Sequence, residues 1–233
     1  MVERSSSGNK DAIAVKRKLV FYSNQVRPDT VEIDRRLLAL LGKEKPRIGY
    51  IPSVSDPTGM YYQAQKAYYR HYDIDLEPCF GLDNRYTLDD LGALLTADAI
   101  HLSGGNTFYF LHWLRVRNML DTIKQYVERG GVLIGVSAGA ILMTPDIRTT
   151  LLCGDVLPPQ EIAPQGLGLV DFAFVPHWGS YAAMEEIKSY SRKNSNQVIY
   201  ACSDNGGIIV ENEHVQLVGD VSAIKNGSVY PSA

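Results

Sequence analysis

The stretch Gly130–Leu142 constrains the fold of this chain more than any other part of the sequence. An uncharged apolar run rich in β-branched residues is interrupted by GVSAG at 135–139 and continues as small and aliphatic residues suited to a helix. This pattern predicts a strand, a sharp turn and a helix, with Ser137 at the turn.

A serine in a G-x-S-x-G turn can act as a nucleophile. The flanking glycines, here Gly135 and Gly139, let two backbones pass close together, and the serine is held in a strained conformation with its hydroxyl clear of the sheet. The amide N–H of the next residue, Ala138, then points towards the position where an oxyanion would form. The alternative is a glycine-rich turn with an incidental serine. The position between a strand and a helix favours the catalytic interpretation.

Strands and helices alternate through the first part of the chain. Apolar segments typical of strands are followed by stretches with helical periodicity, and this order predicts an α/β fold with a mostly parallel, doubly wound sheet. Functional sites of such sheets lie at the carboxyl ends of the strands. The predicted strands are 18–23, 47–52, 74–80 and 97–102, with a fifth in the apolar run that breaks at Gly135. The predicted helices are 28–41, 59–72, 88–95 and 119–128, with a further helical pattern through Leu111 and Leu114.

Beyond Leu142 the pattern changes. Residues 145–168 are proline-rich and irregular, and a predicted strand at 169–175 precedes a predicted helix at 179–192. Three more strands are predicted at 197–202, 207–211 and 215–219, the last two as an antiparallel pair.

Length and composition indicate one domain. The 233 residues, 45% of them hydrophobic, can bury both faces of one sheet. Residues 1–17 are polar and lack periodicity, so we expect a flexible tail there and a single α/β domain at 18–233.

Charge and cysteine content exclude several classes of partner. A formal net charge of -3 gives no general attraction to nucleic acid or to an anionic membrane. The apolar runs are too short to span a bilayer and the N-terminal region has no apolar signal segment, so the sequence predicts a cytoplasmic protein. Cys79, Cys153 and Cys202 lack paired spacing, which argues against a disulfide framework and a zinc site. We expect no metal and no cofactor.

A glycine pair follows the predicted strand 97–102. Gly104 and Gly105 lie between that strand and a helix, where exposed backbone N–H groups can bind an anion or an oxyanion. In a parallel sheet this loop would lie beside Ser137. A tight βα turn and a nucleotide phosphate site are alternative interpretations.

A nucleophilic serine needs a base, usually histidine, and an acid that orients the base. Of the five histidines, His177 directly follows a predicted strand, whereas His101 lies within a strand and is expected to be a hydrogen-bonded core residue. For the acid, Asp204 follows the predicted strand 197–202 and is preferred over Asp155 and Asp146, which lie in the irregular segment. Each aspartate could instead be a turn residue.

Four features in this order resemble the peptidase E (aspartyl dipeptidase) family of serine peptidases, family S51, to which cyanophycinase is related. The resemblance extends from about Lys18 to Val221. The features are GGNTF at 104–108, GVSAGA at 135–140, Pro176-His177, and an acidic residue before a glycine-rich hairpin, here Asp204.

The resemblance implies a three-layer, flavodoxin-like sandwich related to the class I glutamine amidotransferases, and a Ser-His-acid triad. It implies that Ser137 is the nucleophile, that His177 is the base, and that the N–H groups of Gly105 and Ala138 form the oxyanion hole. Asp204 stands where peptidase E has a glutamate, and the shorter side chain still suits the orienting role.

One family feature is missing. The arginine with which peptidase E reads an N-terminal aspartate has Ala183 as its counterpart here. Lys188 and Arg192, with Asn106, are the candidate substrate-binding residues, but a lysine lacks the bidentate fork that selects a carboxylate. This departure argues against a strict preference for N-terminal aspartate.

The leading hypothesis is therefore a cofactor-independent serine peptidase that hydrolyses short peptides. A homodimer is compatible with this function. One alternative is a ligand-binding member of the fold without a productive triad. Another is cyanophycinase-like cleavage of a β-aspartyl polymer, which would require a basic groove, whereas Lys188, Arg192 and Lys193 are few.

Overall fold

The computed structural model describes residues 17–158 and 162–231, which form two β-sheets and the helices around them. The expected flexible tail lies outside the described residues, apart from Arg17. The strands are β1 (Lys18–Tyr22), β2 (Arg47–Ile51), β3 (Asp75–Cys79), β4 (Ala99–Leu102), β5 (Val132–Val136), β6 (Ala173–Val175), β7 (Ile199–Cys202), β8 (Gly207–Glu211), β9 (His214–Val218), β10 (Val221–Lys225) and β11 (Ser228–Pro231).

The central sheet has seven strands in the order β3-β2-β4-β5-β1-β8-β9. Strands β1 to β5 run parallel, and β8 and β9 are added as antiparallel strands beside β1. The predicted parallel α/β sheet with antiparallel C-terminal strands is therefore confirmed. Because β4 is the direct neighbour of β5, the loops that follow these two strands lie side by side.

Helices cover both faces of the central sheet. Helices α1 and α2 pack on one face, and α3 to α6 pack on the other. The helices are α1 (Val31–Leu41), α2 (Met60–Arg70), α3 (Leu88–Leu95), α4 (Thr107–Val116), α5 (Met119–Glu128), α6 (Ala138–Leu142) and α7 (Met184–Lys193), with a 3₁₀ helix at Ile147–Cys153.

Several helix ends follow directly from local sequence. Helix α1 ends at Gly42, which has φ +56° and donates its N–H to the carbonyl of Leu38. Helix α3 begins with a capping box, in which Thr87 Oγ1 accepts from Asp90 N while the Asp90 carboxylate accepts from Thr87 N. These ends agree with the boundaries that the sequence predicted for both helices.

The second sheet contains four strands in the order β11-β10-β7-β6 and was not predicted. Residues of β6 alternate between its two faces: Phe174 packs against Phe21 of the central sheet with ring centroids 5.5 Å apart, while Ala173 and Val175 pack with Ile187 of α7. The second sheet is thus held against the central sheet on one face and covered by α7 on the other.

Two element boundaries differ from the sequence prediction for identifiable reasons. The predicted strand 169–175 begins only at Ala173, because the amides of Leu167 and Leu169 donate to Leu142 and Met143 carbonyls at the end of α6. The predicted helix 179–192 begins at Met184, since Gly179 adopts φ +87° within a turn.

The segment 145–168 was predicted to be irregular, and part of it is the 3₁₀ helix Ile147–Cys153. Asp146 caps this helix by accepting from Arg148 N at 2.8 Å. No helix within the described ranges is long and apolar enough to cross a membrane.

Candidate active site

Ser137 lies in the sharp turn between β5 and α6. Its backbone has φ +51° and ψ -109°, a strained conformation for a residue other than glycine. The turn is fixed by backbone hydrogen bonds from Ser137 N to Tyr22 O at 2.9 Å and from Gly139 N to Ser103 O at 3.1 Å. The predicted strand, sharp turn and helix around this serine are therefore confirmed.

The two glycines that flank Ser137 are required by close backbone contacts. A Cβ atom on Gly139 would lie 2.2 Å from the Leu102 carbonyl oxygen at the end of β4, and one on Gly135 would lie 2.6 Å from the backbone of α6. A side chain at position 139 would force α6 away from β4, and one at position 135 would force α6 away from β5.

The structure brings His177 and Asp204 to the same place. His177 Nε2 lies 3.0 Å from Ser137 Oγ, and His177 Nδ1 lies 2.5 Å from Asp204 Oδ1. A carboxylate at Nδ1 favours the tautomer in which Nδ1 carries the proton, which leaves Nε2 free to accept the serine proton. The His177 side chain is only 17% exposed, whereas that of Asp204 is 46% exposed.

Both of these residues come from the second sheet, since His177 follows β6 and Asp204 follows β7. Ser23, at the end of β1, connects that sheet to the central one. Its Oγ accepts from His177 N at 2.8 Å and donates to Cys202 O at 3.0 Å, and the residue is fully buried. The sequence pattern did not indicate this residue, because its partners are distant in the chain.

The amide N–H groups of Gly105 and Ala138 have no hydrogen-bond acceptor among the described residues. Gly105 and Ser137 line the same cavity. Such unpaired N–H groups can stabilise an oxyanion formed at the serine.

Two serine hydroxyls hold the peptide unit that carries the Gly105 amide. Ser53 Oγ and Ser103 Oγ both donate to the Gly104 carbonyl, at 2.7 and 2.9 Å. In a trans peptide the C=O and N–H point in opposite directions, so fixing the carbonyl fixes the direction of the Gly105 N–H. Hydrogen bonds to the carbonyl also polarise the peptide and strengthen its N–H as a donor.

Gly105 itself cannot be replaced by a larger residue without rearrangement. It has φ +134°, and a Cβ atom there would lie 2.1 Å from Ser53 Oγ. Of the glycine pair that the sequence singled out, Gly105 is thus required by this loop, whereas a Cβ atom on Gly104 would have its nearest neighbours at 3.7 Å, an ordinary contact distance.

Asp155, the alternative acid, has other partners. Its carboxylate accepts from Thr107 N at 2.9 Å, from Asn106 Nδ2 at 3.2 Å and from Thr150 Oγ1. These contacts place it at the N-terminus of α4 rather than on the imidazole of His177. Asp146 is likewise engaged elsewhere, with Arg148.

Ser137 lines a cavity of about 240 Å³. The cavity is bordered by the turn at Ser137, by His177 and Tyr181, and by Asp155. Tyr181 packs against His177 with ring centroids 5.7 Å apart. The cavity therefore combines a hydroxyl, an imidazole and a carboxylate within a small volume.

The three predicted substrate-binding residues are not part of this cavity. Asn106 caps α4 by accepting from Tyr109 N at 2.9 Å. Lys188 donates to Glu185 at 2.7 Å, and the Arg192 side chain lies against Gly227 in the β10–β11 turn. Ala183, which the sequence comparison predicted to be the counterpart of the family's arginine, directly precedes α7 and has no side-chain group that could bind a carboxylate.

His101 is a hydrogen-bonded core residue, as the sequence predicted. It is buried in β4, its Nδ1 lies 2.8 Å from Tyr69 Oη, and burial lowers its pKa to about 3. His71, His112 and His214 are exposed. Within the described ranges, no group of three or more His, Cys, Asp or Glu side chains is arranged to hold a metal ion.

Comparison with known proteins points to one family. The sequence model of peptidase family S51 matches residues 19–218 of this chain. A peptidase E from Nostoc sp. is 31% identical over 139 residues, which cover 59% of this chain and 54% of that protein. A peptidase E from Shewanella amazonensis is 39% identical over 95 residues, which cover 41% of this chain and 39% of that protein. The chain thus spans about half the length, or less, of these curated relatives.

Two solved structures share the fold. A Listeria monocytogenes EGD-e protein assigned as a peptidase E has a TM-score of 0.70 at 22% identity, and the match covers 87% of this chain and 98% of that one. A peptidase from an acI-B1 actinobacterium has a TM-score of 0.66 at 16% identity, over 94% of this chain and 98% of that one. Both contain a mixed α/β fold like the one described here.

Proposed function

Because this chain belongs to peptidase family S51, we propose that it is a serine peptidase that hydrolyses short peptides. One observation carries the proposal: His177 lies within hydrogen-bonding distance of both Ser137 Oγ, at 3.0 Å, and Asp204 Oδ1, at 2.5 Å. A serine hydroxyl becomes a useful nucleophile only when such a base is in place.

The proposed reaction begins with transfer of the Ser137 hydroxyl proton to His177 Nε2 as Oγ bonds to the peptide carbonyl carbon. The carbonyl oxygen becomes an oxyanion that accepts from the N–H groups of Gly105 and Ala138. The imidazolium formed at His177 is stabilised by the Asp204 carboxylate.

In the second half of acylation the C–N bond breaks, and His177 Nε2 gives its proton to the leaving amine. The acyl group remains as an ester on Ser137 Oγ. Water then attacks this ester, with His177 taking the water proton and returning it to the serine, so the acyl product leaves as a carboxylic acid and the enzyme is restored.

The small cavity favours short substrates. At about 240 Å³ it has room for little more than the groups next to the scissile bond, and the Asp155 carboxylate lines it. A carboxylate still has acceptor capacity after three hydrogen bonds, so it suits the free α-ammonium group of a short peptide.

The residues of this cavity do not support strict selectivity for a substrate with an acidic side chain. No lysine or arginine lines it among the described residues, and Lys188 and Arg192 have partners elsewhere. For the same reason, cleavage of a β-aspartyl polymer has no supporting feature here.

The test is a dipeptide library assayed with the wild type and with Ser137→Ala. Loss of the nucleophile of a Ser-His-Asp triad costs up to about 10⁶ in kcat, so hydrolysis by the variant should fall to background. Ser222→Ala, whose side chain does not line the cavity, is the control and should retain activity. Hydrolysis by Ser137→Ala at the wild-type rate would refute the proposal.

A fluorophosphonate probe separates this function from the ligand-binding alternative. An activated serine reacts covalently with the probe, and labelling should occur in the wild type and disappear in Ser137→Ala. Absence of both labelling and hydrolysis in the wild type would favour a non-catalytic member of the fold.

A further inference from the structure

A second cavity lies on the other side of the Ser103–Asn106 loop from the Ser137 cavity. Its volume is about 480 Å³, twice that of the Ser137 cavity, and Gly105 lines both. We call it the tyrosine pocket; its walls come from Tyr50 and Pro52, from Val54, and from Tyr61 and Ala64 on α2. Its volume is within the range of ligand pockets, whereas the Ser137 cavity alone is smaller than that range.

The walls of the tyrosine pocket are largely apolar and uncharged. Burial raises the pKa of Tyr50 to about 12, so its phenol stays neutral. Tyr61 is 64% exposed and Val54 is 40% exposed, so both present apolar surface at the pocket mouth. A patch of exposed apolar surface around a cavity is typical of a ligand-binding groove.

The polar groups of the pocket do not suit an acidic ligand. Asp56 is the one carboxylate among the lining residues, and it is engaged with Tyr62 N at 2.9 Å. Among the residues that the structure describes, no lysine or arginine lines the pocket, and Lys66 Nζ lies 3.9 Å from Asp75 Oδ1 and 4.0 Å from Glu77 Oε2. The amides of Gln65 and Asn106 also line the pocket, and they donate to Gln25 Oε1 and Asp155 Oδ1. A carboxylate bound here would therefore lack a positively charged partner, whereas a neutral side chain needs none.

The order of loops along the sheet indicates which part of a substrate reaches this pocket. The strands β2, β4, β5 and β1 are neighbours, so the tyrosine pocket and His177 lie on opposite sides of Ser137. The leaving amine must lie close to His177, which protonates it. The acyl part is then the part that can cross Gly105 towards the tyrosine pocket.

We propose that the tyrosine pocket binds the side chain of the acyl-side residue of a short peptide, and that it selects neutral aromatic or long aliphatic side chains. This inference rests on the proposed peptidase function. With this pocket, the enzyme would prefer dipeptides with an apolar N-terminal residue over dipeptides with an N-terminal aspartate.

The test compares dipeptides X-Ala with Ala-X, where X is Phe, Leu, Ala or Asp. A single methylene in an apolar pocket is worth about 10-fold or more in kcat/KM, so Phe-Ala and Leu-Ala should exceed Ala-Ala by at least about 10-fold, and Asp-Ala should be the poorest. The kcat/KM values of the Ala-X dipeptides should vary less with X than those of the X-Ala dipeptides. Equal rates for all X-Ala, or a preference for Asp-Ala, would overturn the inference.

Two variants link this preference to the pocket. Ala64→Trp fills it from an exposed helical position and should lower the ratio of kcat/KM for Phe-Ala to kcat/KM for Ala-Ala by about 10-fold. Ala67→Trp, at an exposed position of α2 outside the pocket, is the matched control. Tyr61→Ala should weaken the preference without loss of stability, because this side chain is mostly exposed.

Failure of this inference and failure of the proposed function give different results. If Ala-Ala is cleaved by the wild type but not by Ser137→Ala, while Ala64→Trp has no selective effect on Phe-Ala, only the tyrosine-pocket assignment is wrong. If no dipeptide is cleaved at all, both proposals are wrong.

Discussion

His177 Nε2 lies 3.0 Å from Ser137 Oγ although the two residues follow strands of different sheets. The distance therefore depends on how the second sheet is held against the central one. Apolar packing, such as that of Phe174 on Phe21, supplies attraction but little directional control. The buried hydroxyl of Ser23 fixes the orientation of the second sheet near His177, because it forms directional hydrogen bonds with the backbone of both His177 and Cys202.

Ser23→Ala should therefore reduce both activity and stability. It leaves the His177 amide without a partner, while the Cys202 carbonyl keeps only its hydrogen bond from Trp178 N. A buried amide without a partner costs about 1–3 kcal/mol of unfolding free energy. A shift of the imidazole by about 1 Å can lower kcat by about 100-fold. Urea unfolding and dipeptide kinetics measure the two effects.

Ser191→Ala is the matched control for Ser23→Ala. Ser191 is also fully buried, and its Oγ accepts from Gly227 N at 3.2 Å, away from the three clustered side chains. It should lose stability but keep its kcat. If Ser23→Ala behaves in the same way, the serine does not position the base.

The roles of the two candidate acids can be separated by mutation. Asp204→Asn should lower kcat by about 10⁴-fold, because an amide at His177 Nδ1 no longer enforces the productive tautomer. Asp155→Asn should instead raise KM for peptides with a free α-ammonium group and leave N-acetylated peptides unaffected. Steady-state kinetics on both peptide types is the measurement, and a comparable loss of kcat in the two variants would contradict the assignment.

Ser53→Ala and Ser103→Ala should each lower kcat with little change in KM. The Gly104 carbonyl loses one of its two donors in each variant, so the Gly105 N–H is held less firmly. The loss should be smaller than the roughly 10²–10³-fold cost of removing an oxyanion donor itself. A peptide aldehyde, which forms a tetrahedral adduct, should bind more weakly to both variants.

Ser55→Ala provides the control for these hydroxyl variants. Ser55 lies in the same loop as Ser53, but its hydroxyl bonds to Asp83 and not to Gly104. It should retain the wild-type kcat and the wild-type affinity for the aldehyde. An equal response from all three serine variants would mean that the effect comes from the loop as a whole.

The elements that the sequence predicted correctly are those with local causes. The turn at Ser137 follows from glycines that touch neighbouring backbone, and the parallel sheet follows from regular alternation of strand and helix patterns. The proximity of Ser137, His177 and Asp204 was expected from their positions after strands. Their catalytic roles remain a proposal.

The second sheet was missed although its sequence carries a signal. Asn226 and Gly227 have φ +49° and +78°, and an Asn-Gly pair between alternating residues is a strong hairpin indicator. The hydroxyl contacts of Ser23 and Ser53 could not have been read from the sequence. They join residues 154 and 51 positions apart, and no local pattern reports such a pairing.

His101 leads to a prediction about pH and stability. The groups that contact it are the Tyr69 hydroxyl at 2.8 Å and the Tyr50 ring at 5.1 Å, and burial raises the pKa of both phenols, so both are neutral. Burial lowers the pKa of His101 from its ordinary 6.5 to about 3. Between these two values the unfolded chain binds a proton at this residue and the folded chain does not.

Stability should therefore fall as the pH drops below about 6.5, by up to about 1.4 kcal/mol per pH unit from this residue, until the pH reaches about 3. His101→Gln keeps a hydrogen-bond acceptor for Tyr69 but cannot titrate. Between pH 7 and pH 5 the wild type should therefore lose about 2 kcal/mol more unfolding free energy than the variant. Urea unfolding at the two pH values measures this difference. His214→Gln, which replaces a histidine at an exposed position, is the control for the substitution itself. If His101→Gln has the same pH dependence as the wild type, acid destabilisation arises from other groups and the buried imidazole does not contribute to it.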